Sequence, residues 1–191
     1  MGQYYMPCSV DKKQTVYSHD YGSGLKLMEH SWVVGTRTND FMHVVESLIA
    51  EGGAWYGDKI LWAGDYADHE PGYPKRKGDN GEEYDTNMYD VVHENKIKPA
   101  VVKKWYRYVV NLDTNEYVDK KKIPVNEVYN DEEWRIHPLS VMTCEGNGRG
   151  GGDYRTDEEN PLIGKWARQR VTVTTRKPTG CTEIHFGLLE K

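Results

Sequence analysis

The longest uninterrupted run of apolar side chains in this sequence is four residues, Ile60 to Ala63. A membrane-spanning helix needs about 20. The chain must therefore bury its apolar groups piecemeal, in short elements. Leu, Ile, Val and Phe make up under a fifth of the 191 residues, a level that can signal disorder. Six Trp, fourteen Tyr and six Met make up the shortfall, so a core is expected whose bulk is aromatic. One domain is the expectation at this length.

The formal net charge of −5 argues against a surface built to wrap nucleic acid, since phosphate contacts need clustered Lys and Arg. Three cysteines, Cys8, Cys144 and Cys181, form no CxxC pair, which argues against a zinc ribbon or thioredoxin-like motif. Residues Met1 to Gln14 lack the charged and then apolar pattern of a secretory signal. A reduced, cytoplasmic protein with no membrane partner is the expectation.

Residues 3 to 19 read as a hairpin around Asp11-Lys12-Lys13-Gln14, and Leu25 to Val34 is ambiguous between strand and helical turn. The clearest element follows. Phe41, Val44, Val45, Leu48 and Ile49 form one stripe of a 3.6-residue helix, with Asp40 as N-cap and Gly52-Gly53 as exit. This predicts a helix from Phe41 to about Glu51. Lys59 to Ala63 reads as a buried strand, and Asn87 to Glu94 as a second, weaker helix. Between them, residues 65–90 form a polar, acidic loop or flap with few aliphatic side chains.

The second half reads as strands. Trp105 to Leu112 and Glu116 to Asp119 form a hairpin, Arg135 to Cys144 a strand interrupted by Pro138, and Arg168 to Thr175 another, returning through Thr182 to Leu188. The fold class is α+β: a single domain, mainly an antiparallel sheet with one or two helices packed on a face. An edge-strand signal makes a homo-oligomer plausible.

The stretch from Glu145 to Arg155 is the densest in glycine. Gly146, Gly148 and Gly151 satisfy GxGxxG, but no amphipathic helix follows to complete a dinucleotide fingerprint, and no GK[ST] marks a P-loop. Two readings stand. In one, Gly146, Gly148, Gly150, Gly151 and Gly152 expose amides that form an anion-binding nest, with Arg149 and Arg155 as charged donors. In the other, the glycines serve an irregular loop. Glu145 and Asp153 at the rim would suit ribose hydroxyls or a metal better than an anion.

Two clusters put His beside carboxylates: His19-Asp20, and Asp65 with Asp68 and His69. Such groups can hold a divalent cation that activates water, although neither has HExxH or HxHxD spacing. His30, His43 and His137 read as structural histidines, and Cys144 as a packing cysteine. Trp55, Tyr56, Trp62, Tyr66 and Tyr73 crowd a polar, glycine-rich region; with few aliphatic neighbours, they could stack a base.

The run from His137 through the glycine loop to Tyr154, with Gly2-Gln-Tyr-Tyr and Tyr17-Ser-His-Asp-Tyr-Gly22, resembles a group of uncharacterised short proteins carried by bacteriophages of gut bacteria. The resemblance implies a small cytoplasmic accessory protein of a bacterial host, in a setting where blocking host defence is a common role. It implies no activity, cofactor or site residue.

The leading expectation is a non-catalytic binder of a small phosphate-bearing, nucleotide-like ligand, using the glycine loop with Arg149, Arg155 and the aromatic face of Trp62 or Tyr66. It requires no cofactor, and the ligand could be a host signalling nucleotide. The first alternative is a metal-dependent phosphoesterase or nuclease using His19, Asp20, Asp65, Asp68 and His69 with a divalent metal. The second is an inhibitor of a host defence protein, with the acidic flap as decoy for a basic surface.

Overall fold

The computed structural model describes residues 3–34, 38–145 and 160–187. The chain runs β1 (Tyr5–Ser9), β2 (Gln14–Val16), α1 (Leu27–Ser31), β3 (Trp32–Val34) and α2 (Asp40–Ile49). Next come β4 (Lys59–Gly64), β5 (Arg76–Lys77), β6 (Glu83–Tyr84), α3 (Met88–His93), β7 (Lys96–Ile97), β8 (Tyr108–Asn111) and β9 (Glu116–Asp119). The last elements are β10 (Glu127–Tyr129), β11 (Glu132–Ile136), α4 (Pro138–Met142), β12 (Cys144–Glu145), β13 (Gln169–Thr174) and β14 (Thr182–Glu183).

The α+β expectation holds. One large sheet runs in the order β14-β9-β8-β13-β4-β1-β2-β7, with β12 also paired to β4. Most pairs are antiparallel; β2–β7, β4–β12 and β9–β14 are parallel. β3, β11 and β10 form a smaller sheet, and β5–β6 a hairpin inside the flap.

Strand β4 is the hub. One edge carries β1 along its whole length, from Tyr5 opposite Gly64 to Ser9 opposite Ile60. The other edge is shared, with β13 opposite Lys59 and Ile60, and β12 opposite Trp62 and Ala63. Both faces of β4 are buried. Ile60 and Trp62 join Tyr5, Val171 and the α2 stripe in the main core, while Leu61 and Ala63 meet Cys8, Met88 and Val92 on the opposite face. Helices α2 and α3 thus cover opposite faces of the sheet's centre, and the apolar run from Ile60 to Ala63 is continuous because this strand has no solvent side.

Three expected elements differ in detail. Helix α2 starts at Asp40, and its cap is Asn39, whose side chain accepts from the Met42 amide at 2.8 Å. The stretch from Arg135 to Cys144 is not one strand but β11, α4 and β12. Pro138 stands at the first turn of α4, where its fixed φ and missing N–H suit a helix start. The C-terminal stretch does not return along β13; β14 pairs in parallel with β9. Beyond α2, Trp55 donates its amide to the Leu48 carbonyl at 2.8 Å. A Cβ on Gly53 would fall 2.2 Å from the Ser47 carbonyl oxygen, so only glycine fits this return. Among the described residues no helix is long and apolar enough to cross a membrane.

Candidate functional site

Because β4 and β12 run parallel, their C-terminal ends lie at the same end of the sheet. The flap departs from β4 through Asp65 and Tyr66, and the glycine loop departs from β12 after Glu145. Strand β1 begins there too: Asp65 accepts the Tyr4 amide on Oδ1 at 3.0 Å and returns its own amide to the Tyr4 carbonyl at 3.0 Å. Half-burial of Asp65 raises its pKa above the ordinary carboxylate value, and the amide bond opposes that rise.

Arg168 joins the two departing stems. Its guanidinium donates to both oxygens of Glu70, at 3.1 and 2.6 Å, and through Nε to Glu145 at 2.8 Å. Glu70 belongs to the flap and Glu145 to the base of the glycine loop. The Arg168 backbone is left-handed, with φ of 60°, a conformation that costs a non-glycine residue roughly 1–2 kcal/mol. Its amide still reaches the Ile60 carbonyl at 3.0 Å. Burial works against the guanidinium's charge, but the bonds from Glu70 and the charge of Glu145 outweigh it and hold its pKa above normal. Nearby Cys8 is fully buried, which pushes its thiol well above the ordinary range; it is a packing thiol.

The base of the flap is more ordered than its composition suggests. Thr86 and Asn87 are buried. The Glu70 amide donates to the Thr86 carbonyl at 2.7 Å, and Asn87 donates from its side chain to the Asp65 carbonyl at 2.9 Å while capping α3.

The expected site residues separate. Trp62 is 0% exposed. Its Nε1 donates to His30 Nδ1 at 3.0 Å, and Phe41 stands edge-on at 6.4 Å between ring centroids. Since β4 is covered on both faces, Trp62 is core and offers no stacking surface. Trp55 is likewise core, and the Lys13 ammonium lies 4.9 Å from the ring centre of Tyr73. Tyr66 is 47% exposed just past the end of β4. Gly146, Gly148, Arg149, Gly150, Gly151, Gly152 and Arg155 lie outside the described residues.

The histidine–carboxylate set has separate partners. His19 sits 3.2 Å from the Tyr17 hydroxyl, Asp20 pairs with Lys98 at 2.9 Å, Asp65 is held by Tyr4, and His69 lies 3.9 Å from Asp85. Asp68 is exposed. Among the described residues no three His, Cys, Asp or Glu side chains gather as a metal site.

Sequence reasoning missed a buried ionic trio that reaches α4 through His137. Glu46 on α2, Lys120 in the turn after β9, and His137 at the cap of α4 are all buried. Lys120 donates to Glu46 Oε1, which also lies 3.0 Å from His137 Nε2. Lys120 Nζ is 3.4 Å from that nitrogen and 4.2 Å from the Trp105 ring centre. Glu46 Oε2 and His43 Nδ1 are buried without a hydrogen-bond partner among the described residues. Burial would raise the Glu46 carboxyl, but the charge of Lys120 and the bond from His137 together hold it below its ordinary value. For Lys120, burial lowers the ammonium and Glu46 opposes. One signal was present: Met42 and Glu46 are four residues apart, so Glu46 continues the flank of the apolar stripe.

No protein-family model matches the chain, and neither curated proteins nor solved structures give a match. Its function is therefore read from its own geometry.

Proposed function

We propose that the end of the sheet where β4 and β12 terminate binds a small phosphate-bearing, nucleotide-like ligand without transforming it. The observation that carries this reading is the convergence of two stems: the flap and the glycine loop leave adjacent parallel strands side by side, tied together by Arg168. In open α/β sheets ligands bind beyond the carboxyl ends of parallel strands, and β4 and β12 form one such parallel pair here. Glycine amides and the guanidiniums of Arg149 and Arg155 supply donors for phosphate. The exposed ring of Tyr66 supplies a stacking face. Glu145, which on sequence grounds opposes an anion, is neutralised by Arg168. In the phage setting that the resemblance implies, such a protein would withdraw a host signalling nucleotide.

A melting experiment with a panel of cyclic and linear nucleotides tests the reading. A ligand at 100-fold excess over its Kd adds about 2.7 kcal/mol of stability, a clear rise in Tm, and Tyr66→Ala should reduce that rise. A melting temperature that no nucleotide moves would overturn the proposal.

A further inference from the structure

Helix α4 supports the chain on both sides of the glycine loop. The Thr143 carbonyl, at its end, accepts the Trp62 amide at 2.8 Å, aligning β12 with β4. The Val141 and Met142 carbonyls accept the amides of Gly164 at 2.9 Å and Trp166 at 2.6 Å, which lie past the loop. At its start His137 Nδ1 accepts the Leu139 amide at 3.1 Å, and the Ser140 hydroxyl pairs with that of Ser31 at 2.6 Å.

We propose that His137 is a positioning residue for this site: as neutral imidazole it caps α4 and holds the loop stem, and its protonation in mild acid releases both. The consequence for ligand binding rests on the function proposed above; the effect on α4 and β12 does not.

The geometry assigns the proton. With Nδ1 accepting from Leu139, the ring hydrogen sits on Nε2 and points to Glu46 Oε1. A second proton can enter only at Nδ1, where it would face the Leu139 N–H and abolish the cap. The surroundings offer little to offset this. From α2, Glu46 attracts the extra charge, but its Oε1 is already shared with Lys120, and His43 adds no negative charge. From the turn after β9, Lys120 repels it at 3.4 Å. From α1, Ser31 accepts the His137 amide at 2.7 Å and pairs with Ser140, while His30 is engaged with Gly24 and Trp62. Burial and then Lys120 accordingly depress the His137 pKa below its ordinary value, with Glu46 acting the other way.

Amide hydrogen exchange, followed residue by residue from about pH 7.5 to about pH 4.5, through the ordinary histidine range and below it because the His137 pKa is depressed, tests this directly. After correction for intrinsic exchange rates, the Leu139, Thr143, Trp62, Gly164 and Trp166 amides should lose about tenfold or more of their protection in acid. The β8–β9 hairpin should change less. His137→Asn supplies a non-titrating acceptor near the place of Nδ1, and Asn is a good N-cap. This variant should therefore lose the excess acid response of the Leu139 and Thr143 amides over that of the β8–β9 hairpin, while the fold-wide loss caused by His30 remains. Uniform protection at both pH values, or an excess response at Leu139 and Thr143 that survives in His137→Asn, would overturn the proposal. If the variant does not fold, imidazole nitrogen shifts of the wild type decide: protonation at Nδ1 with loss of Leu139 protection supports the proposal, and protonation without it refutes it. Acid opening of α4 with no nucleotide effect on melting at either pH would refute the ligand reading alone.

Discussion

His30 offers the sharpest quantitative test of the core. It is 0% exposed and has no free nitrogen. Nδ1 accepts the Trp62 indole N–H at 3.0 Å, and Nε2 donates to the Gly24 carbonyl at 2.8 Å. A second proton would set two N–H groups against each other. Burial lowers its pKa to about 4 from 6.5, with the Gly24 carbonyl and Glu29 resisting and His19 assisting. Between these values the unfolded chain binds a proton that the native state refuses, so stability is complete above about pH 6.5 and falls as pH drops toward about 4. At about 1.4 kcal/mol per pKa unit, the loss from His30 is roughly 2 kcal/mol by about pH 5 and roughly 3 kcal/mol at the lower limit. Urea denaturation from about pH 7 to about pH 4.5 measures it. His30→Asn keeps an acceptor for Trp62 but gives up the Gly24 bond and the ring contact with Phe41 at 4.8 Å. It should be less stable at neutral pH, by about 2 kcal/mol, with a flatter acid limb. An unchanged acid limb in this variant would show that His30 is not the titrating group.

Three further outcomes are expected. Glu46→Ala strands the Lys120 ammonium in the core and should cost about 3–5 kcal/mol in urea denaturation, while Glu46→Leu with Lys120→Met removes both charges and should recover most of it. Arg168→Ala leaves Glu70 and Glu145 facing one another without a cation; it should destabilise by about 2–3 kcal/mol, allowing for partial exposure. Arg168→Lys should restore part of that loss, because it keeps the charge but not the two-pronged bond. Arg149→Ala should weaken binding of whichever nucleotide raises Tm by about tenfold, measured by calorimetry, with the ligand-free melting curve nearly unchanged.

The local elements were legible wherever one face of an element decides its fate. The α2 stripe and the Val171–Val173 alternation each turn their apolar face to the main core and formed close to their expected place, and the β8–β9 hairpin, marked by its turn, did so although both of its faces are buried. Alternation says less about β1, because both of its faces are covered and Tyr5, Met6 and Cys8 are all buried. Proline gave the plainest misreading: the same residue breaks a strand or opens a helix, and only His137 beside it, capping Leu139, marks which.

The site was legible in part, and the missing part is of one kind. Glycine density and loop composition are local, so they single out a stretch, but they cannot say what lies beside it. Trp62 looked available because its sequence neighbours Gly64, Asp65 and Tyr66 are polar or small. Its surroundings in space are His30 and Phe41, from elements some 20 to 30 residues away. Arg168 draws together Glu70 and Glu145, separated from it by 98 and 23 residues, and the trio joins positions 46, 120 and 137. In sequence, apart from Glu46 on the flank of the α2 stripe, each of these charged residues is indistinguishable from a solvated surface residue. What makes them costly to bury, and informative once buried, is that the sheet closes over them. Through His137 the trio reaches the cap of α4, the helix that supports the chain on both sides of the glycine loop, and a change of one proton there acts on the part of the fold where ligand chemistry is expected.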